Sequence, residues 1–440
     1  MKFQVPRGTF DVMPEEAARW QALEARARAV STASGYREIR TPIFEATELF
    51  LRGVGETTDI VSKEMYTFAD RKGRSLTLRP EGTAGVMRAL VEHGVAQAGR
   101  IHRVWYTGPM FRYDRPQAGR YRQFHQWGAE CVGSAHPAAD IEIILLLVDF
   151  LASLGLAGTT VQLNSVGHSG CRPAYQEVLR AYLAPHVDSL CADCRVRFEK
   201  NPLRVLDCKV PHDREIAAGI PSILDSLCAE CREHFDAVQA GLTLHDVQFT
   251  LDPRLVRGLD YYTRTAFEVH DPSRGAQSAM GGGGRYDGLI ADVGGPSVPG
   301  VGFSAGLERI LMALEERSLT PGADAPLVYV ARAGDAAVEA VAQQLVRELR
   351  REGAAAAGTA YAVIADLEPG RGLGAQFKQA DKAGATLAVV VGADELAADA
   401  VTVKDLKTGT QEKIARAQLA MHLAARLAGA PAPNPTENAR

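Results

Sequence analysis

Several features that would assign this 440-residue chain to a common protein class are missing from its sequence. The most apolar run, 143–148, is short and lies between Glu142 and Asp149, so no membrane span fits. Residues 1–16 contain no apolar signal core. The net charge of −4 excludes a global basic field, so any site for nucleic acid must be a local patch.

Two nucleotide-binding motifs are also missing. The chain has no GxxxxGK[ST] and no GxGxxG after a predicted strand, so neither a P-loop nor a dinucleotide fold is supported. The seven cysteines, in a chain without a secretory signal, indicate a reducing compartment and therefore thiols or metal ligands rather than disulfides. We expect a cytoplasmic protein of two or three domains with no membrane association.

Residues 1–167 and 244–320 mix helices with strands, and we interpret these two segments as one domain. Few βαβ alternations occur in it, which predicts an α+β domain with an antiparallel sheet flanked by helices. The predicted helices are 14–34, 82–93, 138–154 and the segment that follows a strand at 300–303, and the other predicted strands are 36–45 (interrupted by Pro42), 75–78, 248–251 and 265–270.

Composition indicates two further domains. Residues 168–243 are helical and cysteine-rich and interrupt the first domain, so we interpret them as an inserted helical domain. Residues 326–425 alternate strands with helices and predict a separate α/β module, joined by a linker at 318–326 that is rich in proline and glycine. The tail, 428–440, is predicted to be disordered.

The most informative segment is FRYDRPQAGRYRQFHQWGAE, residues 111–130. It predicts a β-hairpin whose first arm, turn and return arm are 108–113, 114–120 and 121–131. A half-buried strand should alternate apolar and polar residues, but the return arm has Gln126 and Glu130 on one face and His125 on the other. A dry core would penalise Gln126 and Glu130. Their face therefore lines a polar site, unless the hairpin is a solvent-exposed edge.

Other segments add charged groups at strand and loop ends. RGLDYYTRTAFEV (257–269) joins an arginine to paired tyrosines, and GVGFSAGLERILMAL (300–314) joins a strand to a helix that carries Glu308 and Arg309. MGGGGRYDGL (280–289) contains four consecutive glycines, which let the backbone approach a ligand or adopt positive φ, although a flexible loop is the more common explanation of such a run. Arginine forks suit polyphosphate, and carboxylates suit an ammonium or an imidazole.

At this point the chain resembles the class II aminoacyl-tRNA synthetases. Segment 111–130 is similar to their motif 2, 300–314 to motif 3, and 35–50 to motif 1. RGLDYYTRTAFEV, GGGGRYDGL and LTLRPEGTAG look like signatures of the histidyl-tRNA synthetase family. The resemblance implies the class II catalytic fold, a C-terminal anticodon-binding domain and a homodimer.

The resemblance also implies a reaction. L-Histidine and ATP with Mg²⁺ would form a histidyl-adenylate, and the histidyl group would pass to tRNA(His). Arg112 would hold the α-phosphate, Arg257 would stabilise the charge of the leaving pyrophosphate, and Arg309 would clamp the γ-phosphate, with Glu308 also at the ATP site. The alternative is a non-catalytic synthetase-like regulatory subunit of histidine biosynthesis, which generally lacks the anticodon module.

The same resemblance implies the amino-acid and tRNA contacts. Glu81, Thr83 and Gln126 would bind the α-amino group, and Glu130 and Tyr262, with Tyr261 nearby, would bind the imidazole. His125 and Trp127 would pack on the other face. In the hairpin turn, the residues suited to the tRNA acceptor end are Arg115, Gln117 and Arg120. In the C-terminal module, basic residues that either face RNA or form a solvated surface are Arg371, Lys378, Lys382, Lys404 and Lys407.

Two CxxC pairs lie in the inserted segment. Such pairs commonly supply four thiolates to tetrahedral Zn²⁺, and buried structural cysteines are the alternative. The ligands predicted for one structural zinc are Cys191, Cys194, Cys228 and Cys231, with Cys208 as a substitute.

Overall fold

The protein is described here by a computed structural model, which divides into two compact units, Met1–Gly322 and Ala323–Arg440. The structure describes residues 3–55, 58–319, 322, 325–355, 361–368 and 370–427. The tail predicted to be disordered and part of the predicted linker lie outside these residues. No helix in the described part of the chain combines the length and the apolar character needed to cross a membrane.

The first unit combines strands and helices throughout its described residues. Its strands are β1 Arg37–Glu38, β2 Phe44–Ala46, β3 Tyr66–Ala69, β4 Ser75–Leu78, β5 His102–Phe111, β6 Gln123–Val132, β7 Thr160–Ser165, β8 Phe249–Leu251, β9 Thr263–His270, β10 Ala279–Arg285 and β11 Gly300–Gly306. Its α-helices are α1 Pro14–Ala33, α2 Thr47–Val54, α3 Thr83–Glu92, α4 Pro137–Ser153, α5 Arg172–Leu183, α6 Ala192–Lys200, α7 Pro211–Ala218, α8 Ala229–Leu244, α9 Leu289–Asp292 and α10 Leu307–Glu316. Shorter 3-10 or π-helical turns are Ile60–Glu64, Ala184–Ser189, Pro202–Asp207, Ile223–Ser226 and Pro272–Gln277.

Eight strands of this unit form one sheet in the order β1-β5-β6-β11-β10-β9-β7-β8. All pairings from β5 to β7 are antiparallel, and the edge strands β1 and β8 pair in parallel. The predicted antiparallel sheet flanked by helices is confirmed in this central part. Strands β2, β4 and β3 form a separate small sheet.

The predicted hairpin is β5 and β6, and its first arm begins at His102 rather than at residue 108. Successive residues of β6 point to opposite sides of the sheet. Trp127 and Ala129 enter a core that also contains residues of α1, α4 and α10. Tyr106 and Phe124 belong to a second cluster on the opposite side, where the polar site lies.

Helix α4 fixes the position of the middle of the sheet. It begins at Pro137, a favoured first helical residue, and the His136 side chain accepts a hydrogen bond from the Ala138 backbone N–H. Its apolar residues fill the first core. The fully buried Asp140 forms an ion pair with the fully buried Arg285 at the end of β10, so helix and strand are joined by a paired charge.

The four glycines at 281–284 form most of β10, and the expectation of a flexible loop was wrong. Strand β10 lies between β9 and β11 in the middle of the sheet. A Cβ on Gly283 would lie 1.9 Å from the Gly302 carbonyl oxygen. A Cβ on Gly282 would lie 3.0 Å from Arg257 Nη1. Glycine is therefore required by close backbone approach and by the guanidinium beside the strand.

The segment 168–243 is helical, as predicted, and contains α5 to α8. It lies within the first compact unit. The second unit has the predicted alternation of strands and helices, and in addition three elements that the sequence did not predict: a short helix at Ala393–Ala397, a strand at Gln411–Ala415 and a helix at Leu419–Leu427. Its strands and helices are β12 Leu327–Ala333, α11 Ala336–Ala355, β13 Ala362–Ala365, α12 Leu373–Lys382, β14 Leu387–Gly392, α13 Ala393–Ala397, β15 Ala400–Asp405, β16 Gln411–Ala415 and α14 Leu419–Leu427, with a 3-10 turn at Arg416–Gln418.

The sheet of the second unit has the order β13-β12-β14-β15-β16. Strands β13, β12 and β14 are parallel, and β15 and β16 extend the sheet as antiparallel strands. Its core is formed by the apolar residues of these strands with α11 and α14.

Candidate active site

A polar cavity of about 320 Å³ opens on the second face of the large sheet. Strands β6, β9, β10 and β11 form its floor, and the start of α3, the hairpin turn and the inserted segment form its walls. The residues around it include Glu81, Thr83, Arg112, Arg120, Phe124, Gln126, Arg257, Tyr261, Tyr262, Glu268, Tyr286, Ser304, Glu308 and Arg309, and from the inserted segment Arg197, Arg204, Asp207 and Lys209. Most of the residues predicted for the site therefore surround one space.

Glu130 lies directly behind this cavity and is fully buried. Its carboxylate accepts hydrogen bonds from Thr83 Oγ1 at 2.8 Å and from the Tyr286 hydroxyl at 2.5 Å, and both of these residues line the cavity. The Tyr106 hydroxyl donates a third bond at 3.2 Å. Burial raises the pKa of Glu130 to about 8, although the hydrogen bonds from Tyr286 and Thr83 oppose the shift.

Glycines make room for this carboxylate and for the ring that supports it. A Cβ on Gly302 would lie 1.7 Å from Glu130 Oε2, and a Cβ on Gly82 or Gly128 would lie within about 2.4 Å of the Tyr106 ring. Glycines before α3, in β6 and in β11 thus leave the space in which the Glu130 carboxylate meets the Tyr106 hydroxyl.

The start of α3 holds the second carboxylate, Glu81. Its oxygens accept hydrogen bonds from the backbone N–H groups of Thr83 and Ala84, at 2.7 and 2.8 Å, so it binds the N-terminus of that helix. Burial raises the pKa of Glu81. On the floor, Gln126 Nε2 donates to Ser304 Oγ at 3.3 Å, while Gln126 Oε1 is buried without a hydrogen-bond partner among the described residues. That oxygen is available to a donor on a ligand.

Two arginines occupy the same cavity. Arg112 Nε donates to the Pro80 carbonyl at 2.8 Å, and its guanidinium lies 5.3 Å from the centre of the Phe124 ring. Arg257 forms an ion pair with Glu268. Burial lowers the pKa of Arg112, and the positive charge of Arg257 lowers it further. Two half-buried cations that share one cavity favour the binding of an anion between them.

Glu268 balances Arg257 on the sheet. Burial alone would raise its pKa, but Arg257 and a hydrogen bond from His270 outweigh burial and lower the pKa of Glu268 to about 2. The carboxylate therefore stays ionised and keeps one side of Arg257 bound to β9. Arg257 Nε is buried without a hydrogen-bond partner among the described residues.

Arg309 and Glu308, at the start of α10, have different partners. Arg309 donates from Nη1 to the Ala279 carbonyl at 3.0 Å and from Nε to the Gly119 carbonyl at 3.2 Å, so it joins β10 to the hairpin turn. Burial lowers the pKa of Arg309. Glu308 accepts hydrogen bonds from the backbone N–H of His125, at 2.8 and 3.0 Å. Its carboxylate is therefore engaged with the hairpin, and a direct role toward ATP stays a prediction.

The hairpin turn presents the three residues predicted to meet tRNA. Arg115 and Gln117 are exposed, while Arg120 is half-buried, lines the cavity and forms an ion pair with Asp114 at 3.3 Å. The two exposed side chains are free to contact a large ligand that covers the turn. His125 and Trp127 pack against the first core, as predicted, with the Trp20 ring 5.0 Å from that of His125.

In the second unit, the predicted basic residues lie on α12, on β15 and in the loops near them. Lys378, Lys382 and Lys407 are exposed. Arg371 forms an ion pair with Asp366 at 3.2 Å, and Lys404 Nζ lies 4.5 Å from the centre of the Phe377 ring.

Comparison with known families agrees with this geometry. A family model described as histidyl-tRNA synthetase matches residues 8–310, and a model described as an anticodon-binding domain matches 327–426. The chain belongs to the histidyl-tRNA synthetase family. The sequence resemblance and the class II catalytic fold are thereby confirmed.

Individual relatives of this family match nearly the whole chain. Proteins named histidine–tRNA ligase from Desulforudis audaxviator and Moorella thermoacetica are each 52% identical, over 95% and 93% of this chain and 97% and 95% of their own lengths. A crystal structure of apo Staphylococcus aureus histidyl-tRNA synthetase has 36% identity and a TM-score of 0.79, covering 96% of this chain and 100% of the other. A Bacillus halodurans structure titled ATP phosphoribosyltransferase regulatory subunit/histidyl-tRNA synthetase shares the fold at 21% identity, with a TM-score of 0.62 over 89% of this chain and 98% of its own.

The structure corrects the cysteine prediction. Cys191 and Cys194 group with Cys208 and Asp213, whereas Cys228 and Cys231 group with His168 and Cys171. The two CxxC pairs therefore do not form one four-thiolate site. The prediction assigned both CxxC pairs to one ion because the two motifs are alike. In the structure, each pair instead lies next to two other donor residues, and the two clusters are separate.

Three site residues of this synthetase-family chain were missed in the sequence. Tyr106 and Tyr286 donate to Glu130, and Ser304 accepts from Gln126. Tyr286 lies in the GGGGRYDGL segment, so the segment was identified but its tyrosine was not. The rings of Tyr261 and Tyr262 have centres 4.7 Å apart and are tilted by 51°, and the centre of the Tyr261 ring lies 5.7 Å from that of Tyr286.

Proposed function

We propose that this chain is the enzyme that ligates L-histidine to tRNA(His), with ATP as the energy source. The single observation that carries the proposal is that Arg112, Arg257 and the Glu130 cluster surround one cavity in a member of the histidyl-tRNA synthetase family. The regulatory-subunit alternative is not favoured, because the chain has the anticodon-binding module at 327–426 and retains the cavity arginines.

In the first step, a carboxylate oxygen of histidine attacks the α-phosphorus of ATP. The bond between the α-phosphorus and its bridging oxygen to the β-phosphorus breaks, which releases pyrophosphate and leaves histidyl-adenylate. Negative charge grows on the phosphate oxygens during this step. Arg112 and Arg257, already desolvated and fixed by Pro80 and Glu268, stabilise that charge without reorganising.

ATP enters as its magnesium complex, and Arg309 contacts the γ-phosphate end. Its Nε and Nη1 are tied to the backbone at Gly119 and Ala279, so the guanidinium is held at the edge of the cavity. Glu308 positions the hairpin through His125 in this scheme. The arrangement places cations along the polyphosphate, and bidentate arginine is well suited to that ligand.

Histidine occupies the floor of the cavity. Glu81, Thr83 and the unpaired oxygen of Gln126 bind its ammonium group. The ring meets the cluster of Thr83, Tyr286 and Glu130, together with Tyr261 and Tyr262. An amino acid without ring nitrogens would leave these buried polar groups unpaired, which is the physical basis for selecting histidine.

The proposal is tested by ATP–pyrophosphate exchange with each of the twenty amino acids. Histidine alone should support exchange. In Arg257→Met the rate should fall at least about 100-fold, because a preorganised cation is lost from the transition state.

Exchange with another amino acid, or with none, would contradict the proposal, and no exchange is the result expected of a regulatory subunit. Exchange that survives in Arg257→Met would mean that the activity does not arise in this cavity. Circular dichroism of the variant checks that it is folded.

After activation, the 3′-terminal ribose hydroxyl of tRNA(His) attacks the histidyl carbonyl and AMP leaves. The hairpin turn contacts the acceptor end in this proposal, through Arg115, Gln117 and Arg120, and the second unit contacts the anticodon. The exposure of Arg115 and Gln117 beside the cavity supports the first contact.

Replacing both exposed turn residues, Arg115→Ala with Gln117→Ala, should separate the two steps. Transfer from preformed adenylate to tRNA should slow about tenfold, equivalent to about 1.4 kcal/mol of lost contact energy. Pyrophosphate exchange should stay within about twofold of the unmodified protein. Arg26→Ala, which replaces an exposed arginine on α1, is the matched control. Equal damage to both steps would count against a tRNA contact here.

A homodimer is the proposed assembly. Ile43, Phe44 and Phe68 are exposed, and the Phe44 and Phe68 rings lie 6.4 Å apart on the small sheet, whose strand β2 lies within the motif 1 resemblance. Exposed apolar clusters mark protein interfaces. Light scattering should give twice the 47.3 kDa chain mass, and a monomer mass would refute the assembly.

A further inference from the structure

The inserted segment, 168–243, contains two separate clusters of metal-binding side chains. One consists of His168, Cys171, Cys228 and Cys231, and the other consists of Cys191, Cys194, Cys208 and Asp213. In each cluster, one donor atom from every member lies within 4.8 Å of the others. We propose that each cluster binds one structural zinc ion with tetrahedral geometry.

The spacing of the donors fits zinc. Around a tetrahedral ion with Zn–S of about 2.3 Å and Zn–N of about 2.0 Å, neighbouring ligand atoms lie about 3.5–3.8 Å apart. In the His168 cluster, His168 Nδ1 lies 3.1 Å from Cys171 Sγ and 3.4 Å from Cys231 Sγ. This cluster supplies three sulfurs and one imidazole, a common donor set of structural zinc sites.

The Asp213 cluster has similar dimensions. Cys191 Sγ lies 3.9 Å from Cys208 Sγ, and Cys208 Sγ lies 3.4 Å from Asp213 Oδ2. Cys194, Cys208 and Asp213 are buried. Its donor set is three sulfurs and one carboxylate oxygen. A metal ion accounts for the burial of an acid among three thiols, because zinc binds the deprotonated forms of all four groups.

The backbone is arranged alike at the two CxxC pairs. Cys191 and Cys228 each cap the N-terminus of a helix, α6 and α8, and each sulfur accepts a hydrogen bond from the N–H of the second cysteine in its pair, at 3.4 and 3.5 Å. Backbone N–H donors and the positive end of a helix both stabilise a thiolate. The same local structure thus prepares both pairs to bind a cation.

The Asp213 cluster adjoins the proposed catalytic residues. Its Cys208 follows the turn Pro202–Asp207, and in that turn Arg204 donates to the Arg257 carbonyl at 2.8 Å and forms an ion pair with Asp260 at 2.6 Å. On the other side of the cluster, Arg197 of α6 forms an ion pair with Asp59 at 2.9 Å. A zinc ion here would fix the segment that supports Arg257, so its role is structural.

Elemental analysis of protein purified without chelators tests the proposal. Two zinc ions per chain are expected, with iron near zero. X-ray absorption at the zinc edge should show an average first shell of three sulfurs and one nitrogen or oxygen. This measurement needs no variant and does not depend on the proposed ligase activity.

Single substitutions separate the two sites. Cys208→Ala and Cys171→Ala should each reduce the content to one zinc ion per chain, whereas Cys131→Ala, in neither cluster, should retain both. One zinc ion with a four-sulfur shell, unaffected by Cys208→Ala, would overturn the proposal in favour of a site shared by the two CxxC pairs. Protein without zinc, or with disulfides in place of thiols, would overturn it outright.

Discussion

The burial of one carboxylate, Glu130, is the constraint to which the rest of the site conforms. An ionised acid removed from water is costly unless hydrogen bonds surround it, and at Glu130 burial raises the pKa in spite of such bonds. Hydroxyl groups of Thr83, Tyr106 and Tyr286 supply those bonds from α3, β5 and the residue after β10. These three elements must keep their relative positions for the acid to remain satisfied.

Glycines in the central strands leave the space that this buried acid and its neighbours need. A side chain at position 302 would collide with the Glu130 carboxylate, and one at position 128 would collide with the Tyr106 ring, so both positions are glycine. The same absence of side chains at Gly282 admits the Arg257 guanidinium beside β10. The glycine-rich strands therefore bring an acid for the amino acid and a cation for phosphate to one cavity. Their rigidity comes from their central place in the sheet and from the Asp140–Arg285 pair.

Sequence patterns correctly predicted the features that neighbouring residues determine. They failed for the features that depend on residues far away in the chain. The alternation along β6 correctly placed Gln126 and Glu130 on the side opposite Trp127, because the side-chain period of a strand is fixed. The glycine run was misread, because the need for glycine comes from Gly302 and Arg257, which are far away in the chain. The cysteine pairing failed for the same reason, since His168 and Asp213 join their clusters only through the fold. Tyr286 was missed because nothing in the residues around it indicates that its hydroxyl donates to Glu130, which is far away in the chain.

The central claim is that the polar groups around Glu130 recognise both nitrogens of the histidine ring. The most direct test compares kcat/KM for pyrophosphate exchange with histidine and with an analogue in which carbon replaces one ring nitrogen. A site that leaves a buried polar group unpaired should reject the analogue by about 10⁴-fold. A ratio below about tenfold would show that the ring is recognised by shape alone and would contradict the account.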